Sequence, residues 1–340
     1  MTGIEDAALL AVVAIGSALG ASALPRASWP RRCPAAAILL WQALGLASGL
    51  AAVGTLIGLA LPASQGGLVL SVLRAAGLLR DGELFSLARL FGLSQADSVP
   101  LVLVAVRLAC LAAGLVLLAS LCWVLLAASI AALHARRRQR ALLTLLAHGD
   151  PKVPGALVVD YPSAAAYCLP GLRSRSRIVV SVGALELLGR GELAAVLAHE
   201  RAHLRERHDL VLLPFTALLR AFRWSPAARD AAGSVALLLE MLADDHAVGY
   251  VAAAAAAGGR GRGRQRPGRP LAMALLRVGA AGPGTVPCGA LAVADGGDVA
   301  VRVARLLAPP PGLGAAALML VGCTAAALVA VPAAFLLLSF

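Results

Sequence analysis

The sequence predicts an α-helical integral membrane protein with four transmembrane helices and an α+β domain inserted between the third and the fourth. Three observations predict it. Hydrophobic residues make up 60% of 340 positions, above the share typical of a soluble globular domain. The mean hydropathy is +0.83. The apolar residues also gather into runs of membrane-crossing length, while most of the ionisable ones fall between His134 and Leu313.

A bilayer core needs roughly 20 mostly apolar residues in a helix. Ala7 to Leu24, Ala35 to Leu61, Leu101 to Leu133 and Ala315 to Ser339 meet that length. The first run resembles a signal peptide in length, but Glu5 and Asp6 precede it where such a peptide carries positive charge. It therefore reads as a retained helix. Arginines near helix ends favour the cytoplasmic side. Arg26, Arg31 and Arg32 follow the first run, and Arg136, Arg137, Arg138 and Arg140 follow the third. Both clusters are expected inside, with the N-terminus and the Pro62 to Pro100 loop outside. In that loop Arg74, Arg80 and Arg89 are balanced by Asp81, Glu83 and Asp97. The resulting division is a membrane domain over 1–134 (spans 7–24, 35–61 and 101–133), a cytoplasmic domain over 135–313 and a fourth span over 315–339.

The net charge of +12 is carried almost wholly by arginine, a bias typical of a GC-rich bacterial genome. Part of it lies in AGGRGRGRQRPGRP, 257–270, where alternating Gly and Arg bury nothing and predict a disordered loop. Contact with anionic lipid headgroups is the alternative use of such a run. Specific nucleic-acid binding is not expected, since no aromatic residue is interleaved for stacking. The six cysteines show no CxxC spacing, which argues against a disulfide framework and a cysteine-rich metal site. Arg107, inside the third run, is either functional or snorkels to the outer interface.

Within 135–313, β-branched runs predict strands at Ala156 to Asp160 and Arg177 to Val182, with a third around Ala165 to Leu169 ended by Pro170 and Gly171. Helical periodicity follows at Gly183 to Leu188, Glu192 to Arg207, Asp209 to Phe222, Ala227 to Gly249 and near Leu271 to Val278. The apolar run after Asp209 is too short to span alone, and Pro214 interrupts it. It suits either the membrane face or the domain core.

LAHERAHLRERHD, 197–209, contains H-E-x-x-H as His199, Glu200 and His203. On a helix the two histidines lie one turn apart on one face, so both imidazoles reach one zinc ion at about 2.0–2.1 Å. Glu200, beside that face, can take a proton from a water held by the metal. A catalytic zinc site needs a third protein ligand. The best candidate is Glu240 in LLLEMLADDHAV, where a carboxylate interrupts an apolar run and would be costly unpaired. Asp244, one turn on, is placed to accept the free ring N–H of a liganding histidine. His208 and His246 are rival ligands expected on other helix faces.

These residues, with Ala166 to Leu188 before them, resemble the BlaR/MecR-type membrane zinc metallopeptidases, gluzincins related to the HtpX-type and CAAX prenyl endopeptidases. The resemblance implies a cytoplasmic α+β gluzincin-like metallopeptidase domain. It also implies Zn2+ as cofactor, His199, His203 and Glu240 as ligands, and Glu200 as general base. The penicillin-binding sensor domain of the beta-lactam sensors is expected to be absent, the sequence ending at Phe340. The leading expectation is a zinc metalloendopeptidase of the bacterial cell membrane, embedded in the lipid bilayer. Its substrate is a protein at the cytoplasmic face, such as a transcriptional repressor or the chain itself. An HtpX-like quality-control protease and a non-enzymatic four-helix receptor or scaffold with structural zinc are the alternatives.

Overall fold

The computed structural model describes residues 3–60, 77, 80–82, 86, 101–150, 153–171, 176–257, 266–281 and 296–338. It forms two compact units: residues 1–30, 36–125 and 313–340 in one, residues 31–35 and 126–312 in the other.

The first unit is helical. It holds α1 (Gly3–Ala23), α2 (Pro34–Ala60) and α10 (Ala315–Leu338), together with most of α3 (Leu101–Leu146). Among the described residues these are the four helices long and apolar enough to cross a membrane. Small residues let them approach closely, as in lipid-embedded bundles: a Cβ added to Gly114 on α3 would lie 2.9 Å from Ile57 on α2. Large apolar side chains such as Val12, Ile15, Val116, Trp123, Met319 and Leu320 point outward and are exposed. That surface suits hydrocarbon rather than water, which suggests a membrane protein.

At 46 residues α3 is roughly 69 Å long, more than twice the hydrocarbon thickness of about 30 Å. The apolar run ends near Leu133, but the helix continues through the arginine cluster to Leu146. Loss of hydropathy there does not end the helix, because arginine is a good helix former.

The second unit is a four-stranded sheet covered by helices. Its strands are β1 (Ala147–Gly149), β2 (Ala156–Val159), β3 (Ala166–Leu169) and β4 (Arg177–Ser181), in the order β1-β2-β4-β3. β2 and β4 run parallel, and both edge strands pair antiparallel to their neighbours. The alternation of a strand divides β4 between two cores. Ile178 and Val180 pack with Val158, Leu188 and Leu197 on one face, while Val179 packs with Leu169 and Leu143 of α3 on the other. β1 was not foreseen; three residues of mixed polarity carry no period to read.

The helices of this unit are α4 (Val182–Leu187), α5 (Arg190–Glu206), α6 (His208–Ala221), α7 (Pro226–Ala257), α8 (Arg269–Ala280) and α9 (Gly296–Leu307). Ser181 caps α4 by accepting from the Ala184 N–H at 3.1 Å. Glu192 closes the first turn of α5 by accepting from the Gly189 N–H at 2.8 Å. Gly183 is required where the chain enters α4, since a Cβ there would lie 1.9 Å from the Pro162 carbonyl oxygen. α6 buries Leu212, Phe215 and Ala217 in its own unit and leaves Leu210 and Leu218 exposed.

The loop expected to be disordered over 257–270 needs correction at its C-terminal end. Arg269 and Pro270 already belong to α8, and the Arg266 guanidinium donates to the Leu307 carbonyl at 2.7 Å. Pro270 near a helix start matches the preorganised φ of the first turn. The rest of that stretch, 258–265, lies outside the described residues, as do Cys288 and most of the Pro62 to Pro100 loop.

Candidate metal centre

α5 and α7 cross through small buried residues, Ala195, Ala198 and Ala202 on α5 and Ala243 and Ala247 on α7. The close approach brings together polar side chains that would be costly to bury singly. His199 and His203 project from α5, Glu240 and Asp244 from α7, each pair one turn apart.

His199 Nε2 lies 3.1 Å from His203 Nε2 and 3.3 Å from Glu240 Oε2, and His203 Nε2 lies 3.5 Å from Glu240 Oε1. Donor atoms around a tetrahedral zinc with bonds of about 2.0–2.1 Å are separated by about 3.3–3.4 Å. The separations from Nε2 of His199 to Nε2 of His203 and to Oε2 of Glu240, 3.1 and 3.3 Å, are close to that value, His203 Nε2 approaches the other Glu240 oxygen, and one donor atom from each residue lies within 4.8 Å of the others, so the donor set fits one ion. Among the described residues these are the His/Cys/Asp/Glu side chains grouped closely enough to hold a metal.

The surroundings orient each donor. His199 Nδ1 is 2.9 Å from Asp244 Oδ1, which leaves Nε2 turned toward the shared point. Arg302, on α9, donates from Nε and Nη2 to both oxygens of Asp244 at 2.8 and 2.7 Å, and its Nη1 lies 2.9 Å from Glu240 Oε2. His203 Nδ1 lies 2.9 Å from His208 Nδ1.

His208 stands outside the donor group, and its contact with His203 departs from the separate helix faces expected from sequence. Separate faces require a continuous helix, but α5 ends at Arg207 in the left-handed conformation (φ 54°, ψ 44°). That turn swings the chain back so that a residue five positions on meets His203. His246 also stands apart from the donor group, with Nδ1 2.7 Å from Glu206 Oε1.

Electrostatics separate the two imidazoles in the metal-free protein. Burial disfavours charge on His199, but hydrogen bonds to Asp244 and Glu240 outweigh it and raise its pKa to about 10. Burial dominates at His203, aided by the His199 charge, and lowers its pKa to about 3. Burial would raise the pKa of Glu240, yet the hydrogen bond from His199 and the charges of His199 and Arg302 hold it below the ordinary carboxylate range. Asp244 is held down against burial by hydrogen bonds from Arg302 and His199.

Glu200, next to the donor face, has its pKa pushed to about 7 by burial, with His199 pulling the other way and Glu240 adding repulsion. The Cys168 thiol of β3 lines the same cavity as Glu200. Burial, followed by the Glu200 charge, keeps that thiol protonated. A cavity of about 290 Å³ opens beside the group, lined in part by Tyr167, Cys168, Glu200, Leu212, Thr216 and Arg136. Arg136 is held by Asp209 at 2.7 Å.

Two site neighbours escaped sequence reading. Cys168 carries no spacing signal. Arg302 carries one: it shares a helix face with Val299, Val303 and Leu306 in DVAVRVARLL, and an arginine on an apolar face needs a buried partner.

Two imidazoles and a carboxylate around one point, with a further carboxylate beside them, are the parts of a hydrolytic metal centre. Residues 128–263 match the family model of Peptidase family M48, whose members are metal-dependent, and the match indicates a metallopeptidase domain. It spans His199, Glu200, His203, Glu240 and Asp244 and stops short of Arg302; it does not single out the BlaR/MecR type. No solved structure matches the chain.

Proposed function

We propose that the protein is a membrane-embedded, zinc-dependent endopeptidase that cuts a protein substrate at the cytoplasmic face, with His199, His203 and Glu240 as zinc ligands. The observation that carries this reading is the convergence of His199 Nε2, His203 Nε2 and one carboxylate oxygen of Glu240, all within 4.8 Å of one another, beside Glu200. His199, His203 and Glu240 would hold the zinc, which would supply Lewis-acid polarisation of a carbonyl and a water of lowered pKa.

The chain's own groups supply the rest. Glu200 is the general base: with a pKa near 7 its carboxylate takes a proton from the attacking water and returns it to the leaving amine nitrogen. Asp244 orients His199 through Nδ1. Arg302 neutralises Asp244 and Glu240, so that two buried carboxylates can stand side by side. β3 is an edge strand whose residues Tyr167 and Cys168 border the cavity. An extended peptide can pair with its outer backbone edge, which no strand covers among the described residues, and this suits an endopeptidase cutting within a chain.

The arginine clusters supply the orientation: N-terminus outside, the region after Leu133 cytoplasmic. A cytoplasmic repressor is the substrate class implied by the BlaR/MecR-type resemblance, and a signalling role goes with it. The test compares new protein N-termini in cells expressing the wild type and Glu200→Gln. Cytoplasmic cleavage products unique to the wild type support the reading, and identical N-terminal profiles overturn it.

A further inference from the structure

Resting on the metal site just proposed, we infer that Glu206 and His208 are positioning residues that fix the ring of His203 through a carboxylate–imidazole–imidazole relay. The two histidine donors are supported differently. His199 meets a carboxylate directly, at 2.9 Å from Asp244, whereas His203 meets a third imidazole, His208, at 2.9 Å between the Nδ1 atoms. His208 Nε2 lies 3.2 Å from Glu206 Oε2, and Glu206 Oε1 lies 2.7 Å from His246 Nδ1.

One assignment of protons satisfies the chain. For His203 to offer a lone pair at Nε2, its ring proton must sit on Nδ1. That proton is donated to the bare Nδ1 of His208. The proton of His208 then sits on Nε2 and is donated to Glu206. No other tautomer of a neutral His208 accepts from His203 while donating to Glu206. His208 is 1% exposed, so water does not replace it as the acceptor. Glu206 is less enclosed, with 26% of its side chain exposed, and anchors the relay near the surface.

The left-handed turn at Arg207 makes the arrangement possible. The Arg207 N–H still bonds to the His203 carbonyl as the cap of α5, and the next residue starts α6. Glu206, His208 and His203 are thus brought together by one backbone kink inside the metal helix's own C-terminus. Arg207 is the one non-glycine residue with positive φ among the described residues.

Groups that hold the free ring nitrogen of a metal-bound histidine typically contribute 10–100-fold to metal affinity. The test is competition of the full-length, detergent-purified protein with a chromophoric chelator for zinc, paired with the visible spectrum of the cobalt(II) form. His208→Leu should weaken zinc binding about 10–100-fold and shift the cobalt bands, because the His203 ring loses its acceptor. His208→Asn, whose amide oxygen can accept near the Nδ1 position, should recover part of that loss. Glu206→Gln, at a partly exposed site that tolerates an isostere, should weaken binding several-fold and covers the case in which His208→Leu does not fold. Affinities within twofold of wild type in His208→Leu and Glu206→Gln, with unchanged cobalt spectra, overturn the relay alone. A wild type that binds no zinc overturns the metal site and the relay with it.

Discussion

Arg302 of α9 grips Asp244 of α7 with a two-pronged hydrogen bond, Nε to Oδ2 at 2.8 Å and Nη2 to Oδ1 at 2.7 Å, across 58 residues of sequence. Both side chains are buried, and Arg302 also reaches Glu240 at 2.9 Å. The pair therefore ties α9 to the helix that carries the carboxylate donor.

Removing the arginine would leave two buried carboxylates sharing the single charge of His199. Breaking a buried ion pair from one side costs about 3–5 kcal/mol. Arg302→Leu should lower the unfolding midpoint of the detergent-solubilised protein sharply. Arg302→Lys should fall between, since it keeps the charge and loses the fork. Chemical denaturation followed by tryptophan fluorescence checks both; an unchanged midpoint in Arg302→Leu contradicts the role.

Zinc uptake should release a proton. His199 carries one in the metal-free protein up to a pKa of about 10, and a metal takes only a neutral imidazole. His199 Nδ1 faces Asp244 at 2.9 Å, so the proton displaced should be the one on Nε2. At pH 8 about one proton should leave per ion, and apparent affinity should rise about tenfold per pH unit. The raised pKa also gives the metal-free fold stability that is full below the ordinary histidine range and lost as pH rises toward about 10. Titration calorimetry in buffers of different ionisation enthalpy measures the proton; zinc binding with no release contradicts the assignment.

The ligand set makes a separate claim. Glu240→Ala should reduce bound zinc to well below half of wild type, whereas His246→Ala should leave stoichiometry near one, because His246 meets Glu206 and not the donor group. Elemental analysis by mass spectrometry decides. Zinc loss in His246→Ala equal to that in Glu240→Ala would point to another constellation.

The close approach at Gly183 predicts an unusual sign. Gly→Ala in a helix is ordinarily stabilising by up to about 1 kcal/mol. At Gly183 the new Cβ would meet the Pro162 carbonyl oxygen at 1.9 Å, so the β-strand and helix around Ser181 must shift. Gly183→Ala should destabilise by about 1–3 kcal/mol in the same denaturation assay. A stabilised variant would contradict the packing.

Much of the donor group was legible because its signal is local. His199, Glu200 and His203 lie within one helical turn, and Glu240 stands out as a carboxylate in an apolar run. The apolar helices were legible for the same reason, since length and hydropathy are read from consecutive residues. What was missed depends on distant or conformational facts. The contact between His208 and His203 needs a left-handed Arg207, a conformation that arginine rarely adopts and that no residue pattern announces. The partnership of Arg302 with Asp244 needs α9 folded against α7, although an arginine on the Val299, Val303, Leu306 face was a mark of it. β1 forms because β2 offers it a backbone edge, and its own residues have little strand preference.

The most direct measurement of the central claim pairs zinc content with cleavage in Glu200→Gln. The substitution keeps the shape of a side chain that borders the donor group without belonging to it, and removes its ability to accept a proton. Purified full-length wild type and variant should carry equal zinc, near one ion per chain, while the variant loses cleavage of a protein substrate by at least about 100-fold. Full cleavage by a zinc-loaded Glu200→Gln protein would contradict the account.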